Sequence, residues 1–178
     1  MTEIKVRLAE AADLPLLVEM DHSYHTDYVW QMDLNPGEGQ VGVTFREVRL
    51  PRSMRVEYPR SAWSVAEDWP KRGTVFVAEY GDEVAGYANV FADKVVDGAW
   101  VADLLAMRRL RRHGIGTALV MAAQMWALEQ GKARLILEMQ SKNYPAISLA
   151  NKLGYEFCGY NDQYYPNGDI AVYFGRRL

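Results

Sequence analysis

A short run of arginines and glycines has the composition of an anion-binding turn. Arg111-Arg112-His113-Gly114-Ile115-Gly116 combines two glycines with basic side chains. Glycine lets the chain turn tightly and lets main-chain N–H groups approach a ligand closely. A helix beginning here would add unpaired N–H groups and the positive end of its dipole. These features predict a seat for a phosphate or pyrophosphate. The alternative is that the glycines only allow close packing of helix on sheet.

Two carboxylates lie within runs that predict buried strands. Asp103 falls between Trp100 and Ala106, and Glu138 falls between Leu135 and Met139. A strand buried on both faces seldom carries a carboxylate without a reason. Burial raises the pKa of a carboxyl group, and such a group can act as a general base near neutral pH. For each residue the alternative is a salt-bridged or edge-exposed side chain.

Other reactive residues give weaker indications. His22 and His25 share a face of a predicted helix, but a third ligand is not evident, so we expect no metal site. The single cysteine, Cys158, excludes an intramolecular disulfide and lies in an apolar strand, where it is expected in the core. Several aromatic residues flank segment 31–70 and could line an acceptor pocket or pack that segment onto the sheet: Tyr24, Tyr28, Trp30, Trp63 and Trp69.

Hydrophobic periodicity predicts the elements that position these residues. Asp13 should cap a helix that runs to about Tyr24, Asn143 should cap another, and Gly131 should end the long helix that begins at Gly114. The predicted order is strand 4–8, helix 14–24, hairpin 74–80 and 84–91, strand 100–106, helix 114–129, strand 135–139, helix 144–153, and strands 155–160 and 170–174. This order predicts an α/β fold with a mixed central β-sheet and helices on both faces.

Residues 31–70 interrupt this order and are predicted to form an irregular insertion. Turn chemistry at 35–39 precedes two runs, 41–45 and 54–58, that could be extra strands, and 61–69 could be a short helix. No linker or repeat divides the chain, so we expect one domain over residues 1–178.

Composition narrows the classes of partner. The chain has 178 residues, 49% of them hydrophobic, and a net charge of −3. A nucleic-acid-binding protein should show a broad basic surface, so no nucleic-acid partner is expected. No run approaches the roughly 20 apolar residues that span a bilayer, and no signal-peptide core is visible. We therefore expect no membrane association and a cytoplasmic location.

Two motifs in series resemble those of the GNAT superfamily of N-acetyltransferases, and weakly its streptothricin acetyltransferase group. The stretch from Asp103 to Thr117 resembles motif A, a central strand followed by [Q/R]-x-x-G-x-[G/A]. The stretch from Asn143 to Tyr155 resembles motif B, N-x-x-A-x-x-L-Y-x-K-x-G-F, with the family's usual spacing between the two. The resemblance implies a GNAT-like acyl-CoA N-acyltransferase fold and an acetyl-CoA-dependent N-acetyltransferase.

The same resemblance implies which residues bind acetyl-CoA. Main-chain groups of a strand segment should pair with the pantetheine arm: Leu104, Leu105 and Ala106. Main-chain N–H groups of the turn should hold the pyrophosphate: Arg111, Arg112, His113, Gly114, Ile115, Gly116 and Thr117. Asn143 should contact pantetheine or position the second helix.

The implied reaction is direct attack of an amine on the thioester, with Glu138 or Asp103 as base. The family's usual acid, a tyrosine in motif B, is replaced here by Ala150, so Tyr164 or Tyr165 becomes the candidate proton donor. A small-molecule amine is favoured as acceptor because segment 31–70 could roof a pocket. A protein amine, a catalytically inactive acetyl-CoA-binding protein and a homodimer are left open.

Overall fold

The computed structural model describes residues 3–68, 73–92 and 97–178. Short 3-10 turns at Ala11–Asp13 and Arg108–Leu110 accompany the regular elements. Within these residues lie β1 (Ile4–Leu8), α1 (Leu14–Glu19), β2 (Tyr24–Gly37), β3 (Gln40–Val56), α2 (Trp63–Asp68), β4 (Thr74–Tyr80), β5 (Glu83–Ala92), β6 (Ala99–Ala106), α3 (Ile115–Glu129), β7 (Arg134–Gln140), α4 (Tyr144–Lys152), β8 (Glu156–Asn161) and β9 (Ala171–Arg177).

Seven strands form one mixed sheet in the order β1-β4-β5-β6-β7-β9-β8. The pairing of β6 with β7 is parallel, whereas the other pairings are antiparallel. This parallel pairing is short, because Ala99–Val101 pair with Leu135–Leu137 and the strands then diverge. A bulge in β6 places Ala102 as an extra residue opposite the Asn89–Val90 step of β5. Bulges bend the strand that carries them, so the bulge helps to open the sheet.

Helices cover both faces of the sheet, as predicted. On one face, the buried α3 residues Leu119, Ala123 and Ala127 recur every four residues and pack on the strands. On the other face, Leu17 of α1 and Val65 of α2 pack with β4 and β5 residues in a second cluster. The predicted α/β fold with a mixed central sheet is thus confirmed.

Residues 31–68 form mostly regular elements, and the prediction of an irregular insertion is wrong. β2 and β3 form a long antiparallel hairpin, a second sheet, and α2 follows it. The first helix ends at Glu19 rather than near Tyr24, because buried Tyr24 and Thr26 alternate with exposed His25 and Asp27, which is a strand pattern.

The two short strands predicted at 41–45 and 54–58 are parts of one strand, β3. Tyr28 pairs with Arg49 and Thr26 pairs with Met54, so the residues 50–53 lie opposite Asp27 alone. This interruption, which contains a proline, hid the continuity of the strand from sequence analysis.

Aromatic residues of the hairpin pack it onto the main sheet and onto the residue that later begins α4. The Trp30 ring lies 5.3 Å from that of Phe174, and the Tyr28 ring lies 4.8 Å from that of Tyr144. The Tyr24 hydroxyl is buried and donates to Gln140 Oε1. Trp63 is exposed on α2, and Trp69 lies outside the described residues.

Candidate functional site

The divergence of β6 and β7 leaves an opening at the carboxyl ends of the two parallel strands. Ligands of open α/β sheets bind in such crevices. Apolar residues of both strands form its walls, and the start of α4 closes one side: Val101, Leu104, Leu137, Met139, Asn143 and Ala146. The opening therefore lies between the two sequence motifs.

Main-chain groups of β6 alternate in direction along this opening. Met107 N–H donates to Ala85 O on β5, and Leu105 lies opposite Tyr87 in the same ladder. Because every second residue of a strand turns its N–H and C=O toward the same neighbour, the Leu105 main chain also points toward β5. The main chains of Leu104 and Ala106 therefore face the opening. Leu105 was predicted to pair with a ligand, but its main chain is used within the sheet and its side chain is buried.

The turn between β6 and α3 presents unpaired amides. Arg112 and Gly114 have φ of 71° and 94°, and the first hydrogen bond of α3 runs from Ala118 N–H to Gly114 O at 3.0 Å. Within the described part of the chain, the N–H groups of residues 112–117 have no main-chain or side-chain acceptor. The predicted anion-binding turn therefore keeps its donors free, at the positive end of a 15-residue helix.

Arg111 has a structural role that the sequence did not indicate. Its Nε donates to Ala106 O at 3.0 Å, and its Nη2 donates to Ser23 O at 2.8 Å. Its N–H points to Arg108 O at 3.4 Å. Burial lowers the pKa of this guanidinium. Arg111 thus ties the turn to the end of β6, and neither its side chain nor its amide is free for a phosphate.

The other basic residues of the turn lie at the surface. Arg109 forms an ion pair with Glu83, and Arg112 is exposed. The Nδ1 atom of His113 lies 3.0 Å from Arg111 O, and its ring packs edge-on to Tyr80. Attraction of an anion here rests on the amides and on the long-range charge of these side chains.

Asn143 caps α4, as predicted. Its Oδ1 accepts from Ala146 N–H at 3.1 Å, and it contributes to the wall of the opening. Gly116 of α3 meets Leu149 of α4 so closely that an added Cβ would lie 3.0 Å from the leucine side chain. The second glycine of the turn thus allows close packing of α3 on α4, whereas the alternative raised in the sequence analysis was packing of a helix on the sheet.

Asp103 and Glu138 meet at an arginine beside the opening. Their side chains are only 3% exposed, and the Arg60 guanidinium lies between them. Arg60 Nη1 donates to Asp103 Oδ1 at 3.2 Å and to Ala102 O at 2.8 Å, while Nη2 donates to Glu138 Oε1. The carboxylate charges raise the pKa of Arg60, although its burial opposes this. The two candidate bases are therefore parts of one cluster.

The oxygens of Asp103 are occupied by three donors. Besides Arg60, the Tyr58 hydroxyl donates to Oδ1, and Asn89 Nδ2 donates to Oδ2 at 3.1 Å. Burial raises the pKa of Tyr58, so this hydroxyl keeps its proton. A carboxylate with all its partners in place is suited to anchoring Arg60 and less suited to accepting a proton.

Besides Arg60, Glu138 has two longer hydrogen bonds, and its pKa is raised. The Tyr165 hydroxyl lies 3.3 Å from Oε1, and the Tyr164 hydroxyl lies 3.4 Å from Oε2. Burial raises the pKa of Glu138 against the opposing charge of Arg60. Burial also raises the pKa of both tyrosines, which are therefore protonated near neutral pH. This combination is suited to general acid–base chemistry.

Asp169 holds the two tyrosines against Glu138. The N–H groups of Tyr164 and Tyr165 donate to Asp169 O at 3.1 and 3.2 Å. Its carboxylate accepts from Gln140 Nε2 at 2.7 Å and also from Lys142. The loop between β8 and β9 is thereby fixed to the end of β7.

The four predicted catalytic residues come together, but three residues that hold the acids were missed: Tyr58, Arg60 and Asn89. Tyr58 and Arg60 follow the hairpin in a stretch without periodicity. The only available signal was general: two buried acids in neighbouring strands require a cation.

Among the described residues, no histidine or cysteine hydrogen-bonds to Asp103 or Glu138, although the His22 ring lies 5.5 Å from that of Tyr58. His22 lies beyond the end of α1, where its Nε2 is 2.9 Å from the Tyr87 hydroxyl, and His25 is exposed on β2. Cys158 is exposed, not in the core as expected, because β8 is an edge strand. Among the described residues, no three His, Cys, Asp or Glu side chains are grouped to hold a metal ion. No helix in the same residues is long and apolar enough to cross a membrane.

Comparison with known proteins agrees with this geometry. Streptothricin acetyltransferase of Streptomyces lavendulae is 28% identical over 176 residues, which cover 94% of this chain and 91% of the relative. The crystal structure of nourseothricin acetyltransferase superposes with a TM-score of 0.82 and 27% identity, covering 99% of both chains. A proposed streptothricin acetyltransferase from Bacillus anthracis, solved with acetyl coenzyme A, shares the fold with a TM-score of 0.76 and 20% identity, covering 99% of this chain and 100% of that one.

A family model also matches this chain. Residues 44–155 match the acetyltransferase (GNAT) family. The match includes Arg60, both strands of the opening, the anion turn and the capped helix α4. The protein is therefore a member of the acetyltransferase (GNAT) family.

Proposed function

We propose that the protein transfers the acetyl group of acetyl-CoA to a primary amine of a small molecule, by direct attack on the thioester. The observation that carries the proposal is the position of Glu138 beside the opening between β6 and β7, with its pKa raised by burial. Family membership supports acetyl-CoA as the acyl donor.

Two sets of main-chain groups would hold acetyl-CoA. The amides of residues 112–117 would hold the pyrophosphate at the start of α3. The main chain of Leu104 and the N–H of Ala106 would pair with the pantetheine arm, as an added strand would, while Ala106 O accepts from Arg111. Asn143 would border the arm while keeping α4 in place.

The amine must lose a proton for the reaction to proceed. In the proposed reaction, its nitrogen forms a bond to the thioester carbonyl carbon, and the carbon–sulfur bond breaks to release the CoA thiolate. Glu138 takes the ammonium proton before the attack, the nitrogen loses a second proton to solvent as the amide forms, and the hydroxyl of Tyr164 or Tyr165 supplies a proton to the thiolate. These hydroxyls lie within 3.4 Å of Glu138, so the proton it gains can return to the tyrosine.

Asp103 is assigned a different role from Glu138. Because its oxygens accept from Tyr58, Arg60 and Asn89, it positions Arg60 rather than acting as the base. The sequence left the choice between the two acids open. Glu138 also has three donors, but the two tyrosine hydroxyls lie 3.3 and 3.4 Å from its oxygens and burial raises its pKa, which favours Glu138 as the base.

The acceptor is inferred from the relatives that match over the whole chain. Proteins named for streptothricin and nourseothricin are 28% and 27% identical to this chain. Streptothricin is therefore the first acceptor to test. Sequence analysis expected segment 31–70 to roof a pocket, and this expectation is supported by Tyr58 and Pro59, which border the opening, and by Arg60, which lies against the two acids.

The test is thioester consumption with streptothricin as acceptor. We expect Glu138→Gln to lower kcat by about 10² to 10⁴-fold, because an amide cannot take the proton. The thermal shift with acetyl-CoA should be retained. Glu156→Gln, at an exposed position on β8, is the matched control and should be fully active.

Three results would contradict the proposal. Full activity of Glu138→Gln would exclude its role as base. Acetyl-CoA binding without turnover on streptothricin, simple amines or peptides would instead support an inactive acetyl-CoA-binding protein. Turnover on a peptide amine alone would support a protein acetyltransferase.

A further inference from the structure

A continuous row of aromatic rings begins beside Glu138 and runs across the sheet toward β5. Tyr173 lies directly opposite Glu138 in the pairing of β9 with β7, and Phe91 lies opposite Trp100 in the pairing of β5 with β6. Successive ring centroids are 5.0, 6.4, 5.2 and 6.4 Å apart through Tyr165, Tyr164, Tyr173, Trp100 and Phe91. The row thus leads away from the candidate base on the same face of the sheet.

Most of this row is open to solvent. Tyr165 is buried, but Tyr164 is 41% exposed, and Tyr173, Trp100 and Phe91 are all partly exposed. Contiguous exposed apolar surface beside polar groups marks a site of interaction. Aromatic faces carry partial negative charge and therefore attract cations.

Charges near the row also favour a cation. Asp103 and Glu138 carry two negative charges against the one positive charge of Arg60. The Arg60 guanidinium already lies over the first two rings, 5.2 Å from the Tyr165 centroid and 6.0 Å from that of Tyr164. The Arg134 guanidinium packs over Gly175, on the β8 side of the sheet and away from Trp100. The Arg60 guanidinium thus already contacts the first two rings of the row. Tyr173, Trp100 and Phe91 have no cation over their rings among the described residues.

We propose that Tyr173, Trp100 and Phe91 form a subsite for a second, non-reacting ammonium group of the acceptor. This inference rests on the proposed function, because the first amine must lie at Glu138. Trp100 pairs with Ile136, two residues before Glu138 on the neighbouring strand. Strand geometry therefore puts the Cα atoms of Trp100 and Glu138 about 8 Å apart. An extended five-carbon chain separates two ammonium groups by a similar distance. The acceptor class is therefore an aliphatic diamine or a larger molecule with such a segment.

The test compares 1,5-diaminopentane with pentylamine, which lacks the second charge. Affinity is measured by calorimetry in the presence of CoA, and kcat/KM is measured with acetyl-CoA. We expect the diamine to be preferred by the unmodified protein, and Trp100→Leu to reduce that preference by roughly three- to thirtyfold. Tyr173→Leu should act in the same direction, whereas Trp100→Phe should retain most of the preference because it keeps an aromatic face.

Tyr160→Leu is the matched control. Tyr160 is a partly exposed tyrosine of the same sheet, but its ring packs against Phe45 of the hairpin, outside the row. The preference for the diamine should be unchanged in this variant. Equal affinity of the unmodified protein for both amines, or an unchanged preference in both leucine variants of the row, would overturn the subsite.

The design separates failure of the subsite from failure of the proposed function. If the diamine binds more tightly and the row variants weaken it without any acetyl transfer, the subsite stands and the proposed reaction fails. If both amines are acetylated alike by the unmodified protein and by Trp100→Leu, the reaction stands and the subsite fails.

Discussion

At the scale of residues, Arg60 sets the protonation of the acid cluster. Its positive charge lowers the pKa of Glu138, against the larger opposite effect of burial. A base must be deprotonated to act, so activity should rise as pH increases through the pKa of Glu138. A substitution that raises the pKa of Glu138 should therefore shift this increase in activity to higher pH.

Replacing Arg60 by methionine tests this dependence. In Arg60→Met the lowering charge is lost, so the acidic limb of the kcat/KM profile should move upward by about one to three pH units. Arg60→Lys keeps the positive charge, so its acidic limb should lie between those of the unmodified protein and Arg60→Met. Arg46→Met, which removes an exposed ion pair with Asp33, is the control and should leave the profile unchanged. A limb that stays in place or moves to lower pH would show that Arg60 does not act through Glu138.

At the scale of elements, the turn before α3 determines whether the helix end can receive an anion. Gly114 has a φ of 94°, and an added Cβ would meet only Ile4 at 3.5 Å, so space is available but the conformation disfavours other residues. Gly131, just beyond the other end of α3, has a φ of 69° and open space around it. Both glycines thus adopt a left-handed backbone conformation, and they lie at opposite ends of the same helix.

Valine substitutions at these two positions separate binding from stability. Both Gly114→Val and Gly131→Val should lower the free energy of unfolding by about 1 to 2 kcal/mol, because a left-handed conformation is costly for valine. Only Gly114→Val should abolish the thermal shift produced by acetyl-CoA, since it alters the orientation of the free amides. A shift that survives in Gly114→Val would show that the pyrophosphate binds elsewhere.

At the scale of the whole molecule, the β2–β3 hairpin joins the main sheet chiefly through Trp30. Its ring packs among Phe45, Phe157 and Phe174, and its main-chain N–H donates to Ser141 O at 2.9 Å. The end of the hairpin leads into Tyr58 and Arg60. Docking of the hairpin and formation of the acid cluster are therefore parts of the same assembly.

Trp30→Ala should weaken that assembly. We expect a loss of about 3 kcal/mol in the free energy of unfolding, because large-to-small changes of aromatic residues leave a cavity. Chemical denaturation measures the loss. Leu34→Ala, at a position 54% exposed near the hairpin tip, should change stability by no more than about 0.5 kcal/mol. Equal effects of the two changes would show that the hairpin is not held by this contact.

The features that could be predicted from the sequence depend on neighbouring residues in the chain. The glycines of the turn, the Asn143 cap and the four-residue repeat of α3 express local backbone geometry, which a short stretch of sequence already specifies. The order of strands and helices around the opening followed from the same patterns. The long β3 strand was missed because four residues without partners interrupt its alternation.

Tertiary structure alone decided how the acid cluster is completed. Arg60 is 43 residues from Asp103 and 78 from Glu138 along the chain, and no local pattern links them. It also decided which aromatic residues pack the hairpin and which lie open beside Glu138, since residue type is the same in both groups. Contacts of this kind form only when elements that are distant in the chain pack together. A buried charge or polar group must then be paired with whichever group lies beside it, and spacing along the sequence does not determine that partner.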